Sequence, residues 1–120
     1  MSVKLKYVFL ALIVTALPGW AHHATATQYD VSRTISLTGV ISKLEWSNPH
    51  VHAVIDAQNV QWDVELASPG GVIVAGLSRD QLKPGTILTV TGYPGKVNNT
   101  LCAVKVKTND GAVVTFTVGI

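Results

Sequence analysis

The four histidines of this 120-residue chain fall into two pairs, His22-His23 and His50-x-His52. Imidazole is the commonest metal-binding side chain in proteins. Nitrogen ligands in a tetragonal arrangement suit Cu(II), whereas tetrahedral imidazoles suit Zn(II). Because His50 and His52 are two residues apart in a strand-like segment, both should project from the same face. The pairs predict a metal site, with copper preferred and zinc the alternative. Solvated histidines that bind metal only incidentally and weakly are the competing interpretation.

The N-terminal 21 residues are typical of a cleavable secretory signal. Two lysines precede an apolar run over residues 8–17, which is shorter than the ~20 residues of a membrane-spanning helix. Cleavage after Ala21 would leave His22 as the N-terminal residue, whose α-amine and ring Nδ1 can chelate one metal ion together. A second possible site, after Ala26, would remove both histidines. We therefore expect a bacterial periplasmic or secreted protein without a stable membrane anchor after cleavage.

The charge of the remaining chain is balanced. Two of the nine basic residues, Lys4 and Lys6, lie in the leader, and the other seven equal the seven acidic residues in number. A nucleic-acid-binding domain needs a basic patch or stripe, and a membrane-surface domain needs a polybasic one. The composition therefore argues against both classes and leaves an unidentified periplasmic partner or a small ligand as the expected binding partner.

Residues 33–120 alternate between apolar and polar side chains in several short segments, which predicts an all-β domain after an N-terminal arm over residues 22–32. Ser68-Pro69 and Gly76 bound one short helix after the third predicted strand. This order predicts a five- to six-stranded Greek-key barrel of the OB type, with a small sandwich as the alternative. A change of parity beside Gly39 predicts a β-bulge in a long first strand.

Other residues that could do chemistry carry weaker signals. No motif of a catalytic triad is present, and Asp63 and Glu65 alternate with apolar residues as solvated carboxylates would. Cys102 lies in an apolar segment, which predicts a buried, inert thiol. Trp46 could line a ligand-binding face because it precedes the turn to His50, whereas Trp62 has the apolar neighbours of a core residue.

Several motifs resemble a family of small exported bacterial proteins of unknown function. The matching segments begin with His22-His23 and Glu45-Trp46-Ser47-Asn48-Pro49-His50 and continue through residues 62–69 and 77–93. The resemblance implies an exported, OB-like single domain and no particular activity. It groups His22, His23, Asn48 and His50 in one site, with Asn48 orienting the ring of His50. His52 stands where the family commonly has an aromatic residue, so His50 is the stronger candidate.

Three functions remain open from the sequence. The first is a metal-binding module for binding or delivery, with His22 and His50 as main ligands and His23 or His52 completing the set. The second is an interaction module that binds a peptide, a protein or a small ligand on the barrel face near Trp46 and His50. The third is a copper redox enzyme with an N-terminal histidine brace, although no predicted substrate pocket supports catalysis.

Overall fold

A computed structural model describes residues 25–118 of the chain. From residue 35 onward its elements, in chain order, are six strands, one helix and one 3-10 turn, and the helix follows the third strand as predicted. They are β1 (Ile35–Glu45), β2 (His52–Ala57), β3 (Val60–Glu65), α1 (Pro69–Ala75), the 3-10 turn (Asp80–Leu82), β4 (Ile87–Pro94), β5 (Thr100–Thr108) and β6 (Val113–Thr115).

The strands form one sheet in the order β3-β2-β1-β4-β5-β6, which closes on itself through a parallel pairing of β3 with β5. The other pairings are antiparallel. The closing seam joins Asp63 to Thr100, Val64 to Leu101 and Glu65 to Cys102. Closure of five strands with β6 added at one side confirms the predicted all-β, OB-like barrel.

The long first strand, β1, bends and pairs with both β2 and β4. Its bulge lies at Ser42 and not beside Gly39. The register between β1 and β2 shifts between Ile41 and Lys43. Gly39 instead allows a close approach to β2, since an added Cβ would overlap the carbonyl oxygen of Asp56. Val40 is 41% exposed and lies on the outer face, whereas Leu44, beyond the bulge, packs against the core.

The hydrophobic core is formed by aliphatic side chains from the strands, from α1 and from the connecting segments. The fully buried residues among them include Ile41, Val51, Ile55, Val64, Val72, Leu77, Leu82, Leu88, Val90, Leu101 and Val106. Trp46 and Trp62 are half-buried and pack against this core. The core position predicted for Trp62 is therefore confirmed in part, because one side of the indole remains accessible.

The short helix α1 is held by the capping residues that the sequence predicted. The Oγ of Ser68 accepts a hydrogen bond from the backbone N–H of Gly71 at 3.1 Å, and Pro69 occupies the first turn. Gly76 ends the helix in the left-handed conformation. Among the described residues, no helix has both the length and the apolar character to cross a membrane.

The described part of the N-terminal arm packs on the barrel. Residues 25–28 are helical, and Tyr29 pairs with Gly95 in an isolated antiparallel bridge. The backbone N–H of Asp30 donates to Pro94 O at 2.8 Å, and that of Lys96 donates to Gln28 O at 3.0 Å. These bonds place the arm against the turn between β4 and β5, next to the seam.

Candidate functional site

His50 lies directly before β2, in contact with a carboxylate at the end of β3. Its ring Nδ1 is 2.7 Å from Oε1 of Glu65. An ionised carboxylate is an acceptor only, so this contact places a proton on Nδ1 and leaves the lone pair of the neutral ring on Nε2. The His50 side chain is 47% exposed. The ring is therefore oriented by the protein and also accessible from solvent.

Glu65 is fixed by a second partner. The Tyr29 hydroxyl donates a hydrogen bond to Oε2 of Glu65 at 2.5 Å, across 36 positions of sequence. Each carboxylate oxygen thus has its own partner, one from the arm and one from the segment before β2. Only 17% of the Glu65 side chain is exposed, and the two contacts compensate for the loss of water around the charge.

Tyr29 is a buried residue, 8% exposed, although it lies in the arm. Burial is the first cause that raises the pKa of its hydroxyl far above the ordinary value, and the hydrogen bond to Glu65 is the second. The hydroxyl therefore stays protonated at physiological pH and remains a donor. We call Tyr29, Glu65 and His50 the Glu65 cluster.

Cys102 lies beside this cluster because it is the seam partner of Glu65. The thiol is free and buried. Its pKa is raised from 9.0 to about 11, first by burial and then by the charge of Glu65. A thiol with so high a pKa is scarcely ionised near neutral pH. The buried position predicted for Cys102 is confirmed.

His52 makes a second, more exposed pair on the same outer side of the barrel. The residue between the two histidines, Val51, is buried, so the predicted alternation is correct. The strand itself begins at His52 rather than at His50, although Val51 already donates its backbone N–H to Ala67 O at 2.9 Å and accepts from that of Leu66 at 2.8 Å. The Nδ1 of His52 lies 3.0 Å from Oδ1 of Asp63. Asp63 is 52% exposed, as predicted for a solvated carboxylate.

The other residues predicted to form the metal site are not part of the Glu65 cluster. His22 and His23 lie outside the described residues. Asn48 is exposed, and within the described residues the partner of the His50 ring is Glu65 rather than Asn48. Among residues 25–118, no group of three His, Cys, Asp or Glu side chains is arranged to hold a metal ion.

Sequence reasoning missed the two residues that orient His50. Glu65 was interpreted as a solvated carboxylate because it alternates with apolar positions in β3, but it lies between two partners. Tyr29 carried no pattern at all. One signal could have found it: an aromatic residue flanked by polar residues in an arm often packs back onto a domain, with its hydroxyl on a polar partner.

A separate open groove lies beside Leu44, near the C-terminal end of β1. It has a volume of about 460 Å³ and is lined by Leu44, Arg79, Asp80, Lys83 and Pro84. Lys83 Nζ is 3.8 Å from Oδ1 of Asp80, and both side chains are largely exposed. The groove contains none of the histidines.

Comparison with known protein families finds one match. The model of a family described as a family of unknown function, DUF6152, matches residues 11–103. No curated protein matches the chain significantly.

Two of the matching solved structures are a complex of TiaS with an isoleucine tRNA and ATP, and apo TiaS, described as an agmatidine synthetase for that tRNA. The first is 18% identical with a TM-score of 0.48, and the second is 17% identical with a TM-score of 0.45. Each match covers 63% of this chain and only 18% of the other. Sequence identities and TM-scores this low give no information about function.

Proposed function

The chain belongs to the family of unknown function DUF6152, and because that membership assigns no activity, we propose from the site itself that the protein is an exported metal-binding module. His50 contributes Nε2 as a ligand. His22, as the N-terminal residue after cleavage, contributes its α-amine and ring nitrogen, and His23 or His52 completes the set. Cu(II) is the preferred ion and Zn(II) the alternative. The role is binding or delivery.

The contact between His50 Nδ1 and Glu65 Oε1, at 2.7 Å, is the observation that carries this proposal. Metal-binding histidines almost always donate their second ring nitrogen to a carboxylate, a carbonyl or water, which fixes the tautomer and raises the basicity of the ligating nitrogen. The half-exposed ring of His50 has this arrangement, and Glu65 is itself held by Tyr29.

The attachment of the arm supports the participation of His22. Tyr29 is bonded to Glu65, and its backbone N–H donates to Thr25 O at 2.9 Å, so Thr25 is one helical turn away. The three residues from Thr25 back to His22 can span at most about 10 Å. A short tether of this kind gives the N-terminal nitrogens a high effective concentration around the barrel end that carries His50.

The first experiment is to recover the exported protein, determine its N-terminal residue by intact mass, and titrate the same sample with Cu(II) against a competing chelator. We expect a chain that begins at His22 and binds one copper ion. His50→Ala should weaken binding by more than about 100-fold, since loss of a ligand exceeds the typical cost of losing a residue that orients one.

Three further samples make the test specific. A chain that begins at Thr27 should lose tight binding, and the smaller losses expected in His23→Ala and His52→Ala identify the ligand that completes the set. Thermal unfolding of His50→Ala checks that the barrel is intact. Copper binding by folded His50→Ala as tight as that of the original protein would contradict the proposal, as would natural cleavage after Ala26.

A second candidate function is the binding of a small ligand or a partner segment. The groove beside Leu44, with Arg79 and Lys83 on its wall, is the observation that favours it. This candidate becomes the better one if the exported protein binds neither Cu(II) nor Zn(II) tightly. Its test is a loss of ligand capture in Arg79→Ala that His50→Ala does not share.

A further inference from the structure

Glu65 is shared by two segments of chain that otherwise belong to different parts of the molecule. Its Oε1 contacts His50, which precedes β2, and its Oε2 accepts the hydroxyl of Tyr29, which belongs to the arm. With only 17% of its side chain exposed, the carboxylate has little water to replace either partner. Whatever orients one oxygen therefore orients the other.

We propose that this hydrogen-bonded connection couples docking of the arm to metal occupancy of His50, so that each favours the other. The inference deepens the proposed function and rests on it. It makes Tyr29 a positioning residue for a ligand that it does not touch. It also makes the metal ion a regulator of the position of the arm.

The coupling follows from charge and geometry. A metal ion on Nε2 makes the ring a stronger donor from Nδ1, which strengthens and shortens its bond to Oε1. The fixed carboxylate then presents Oε2 to Tyr29 in one orientation. In the other direction, loss of the Tyr29 hydroxyl frees one oxygen of Glu65 and loosens the ring before metal arrives. Binding linkage requires the two effects to be equal in size.

The arm can act as the second state of this coupling because it docks at the surface of the closed barrel and is not part of its sheet. Its attachment includes the Tyr29 side chain, the bridge to Gly95 and the backbone bonds of Asp30 and Gln28 with the turn after β4. Loss of the Tyr29 hydroxyl weakens this attachment, and the main-chain bonds at the surface have a small net stabilisation because water competes for them. Undocking is thus accessible without unfolding of the barrel.

The first test compares Cu(II) affinity in the exported, signal-free protein and in Tyr29→Phe, which keeps the ring and removes one oxygen. The expected weakening is about 10-fold to 100-fold, the typical range for residues that orient a metal ligand. Tyr93→Phe is the matched control, because Tyr93 is a half-buried tyrosine opposite Cys102 in β4. Its copper affinity should equal that of the unmodified protein.

The second test measures the reciprocal effect on the arm. Chymotrypsin cuts after tyrosine, so cleavage after Tyr29 reports undocking. We expect Cu(II) to slow this cleavage in the unmodified protein by the same factor by which docking improves affinity, and to have a smaller effect in Tyr29→Phe, where cleavage after the phenylalanine gives the same readout.

The outcomes separate the two proposals. Absence of tight Cu(II) binding by the unmodified protein overturns the proposed function together with this inference. Tight binding that is equal in the unmodified protein, in Tyr29→Phe and in Tyr93→Phe overturns the coupling alone. Equal losses in both tyrosine variants also overturn it, because they would indicate a general effect on the barrel.

Discussion

The Tyr29 hydroxyl and Oε2 of Glu65 lie 2.5 Å apart, although one residue is in the arm and the other ends the third strand of the barrel. The bond crosses the seam region, since Glu65 is paired with Cys102 of β5 and Tyr29 bridges to Gly95 after β4. It therefore joins three segments that no local sequence pattern brings together. Its strength should be measurable in the stability of the whole domain.

Tyr29→Phe should destabilise the metal-free protein by about 1.5–3 kcal/mol, the typical contribution of a hydrogen bond to a charged group. The phenyl ring fills the same space, so the loss is that of the bond and not of packing. Urea unfolding followed by tryptophan fluorescence measures the difference. Tyr93→Phe serves as the control and should change the free energy of unfolding by less than about 0.5 kcal/mol.

Two amide substitutions compare the stability contributions of the two carboxylates of β3, the part-buried Glu65 and the exposed Asp63. Glu65→Gln removes a charge held by two partners and should cost about 1–3 kcal/mol. Asp63→Asn changes a side chain that is 52% exposed, so its effect should lie within about 0.5 kcal/mol. Thermal unfolding of the two variants at one pH compares them directly, and similar losses would contradict the assignment of Glu65 as the fixed residue.

The protein should lose stability in alkaline solution because folding favours the neutral forms of Cys102 and Tyr29. Folding raises the pKa of Cys102 from 9.0 to about 11, and it raises that of Tyr29 far above 10.0. The folded state thus favours both neutral forms. The stabilisation from the thiol is complete below pH 9 and is lost as the pH rises to about 11, whereas that from the phenol starts to fall near pH 10.

Urea unfolding at intervals from pH 7 to pH 11 checks this dependence. Cys102→Ala removes the thiol contribution, so the variant should show a shallower decline between pH 9 and pH 10 than the original protein. Parallel curves for the two proteins would show that the thiol is not protected from ionisation.

Gly39→Ala should be among the most damaging single-methyl additions in the barrel. The new Cβ would overlap the carbonyl oxygen of Asp56 and lie 2.8 Å from its carbonyl carbon, and a backbone group of a paired strand cannot move away easily. We expect a loss of about 1–3 kcal/mol or more.

The matched substitution is Gly70→Ala, in the first turn of α1, where an added Cβ meets nothing within 4 Å. Alanine has the higher helix propensity, so this change should be neutral or should stabilise the protein by up to about 1 kcal/mol. The melting temperature should fall in Gly39→Ala and should stay the same or rise in Gly70→Ala, and equal shifts would contradict the assigned role of Gly39.

Local patterns were sufficient to predict most of the elements. The alternation around Ile55 and Val64 defined two antiparallel strands with one buried face each, because side chains alternate along a strand. Ser68, Pro69 and Gly76 marked the ends of the helix, since capping depends on a few adjacent residues. The order of these elements was sufficient to predict an OB-like barrel.

The position of the bulge and the Glu65 cluster could not be predicted in the same way. The bulge at Ser42 depends on how β1 bends to reach both β2 and β4, which is a property of the closed sheet. The position of Glu65 depends on the arm, and the arm docks on the turn between β4 and β5, more than 60 residues further along the chain. Alternation correctly placed Glu65 on the outer face but carried no information about what covers that face.

The seam that closes the barrel has a kinetic consequence. Only three residue pairs join β3 to β5, whereas six join β2 to β3. Short pairings open at a lower free energy than long ones, so we expect the amide hydrogens along residues 100–102 to exchange with deuterium sooner than those in the middle of β2. Each such opening separates Glu65 from Cys102 and transiently admits water to the thiol. The carboxylate that orients His50 therefore lies at one of the shortest strand pairings of the barrel, where we expect opening at a low free energy.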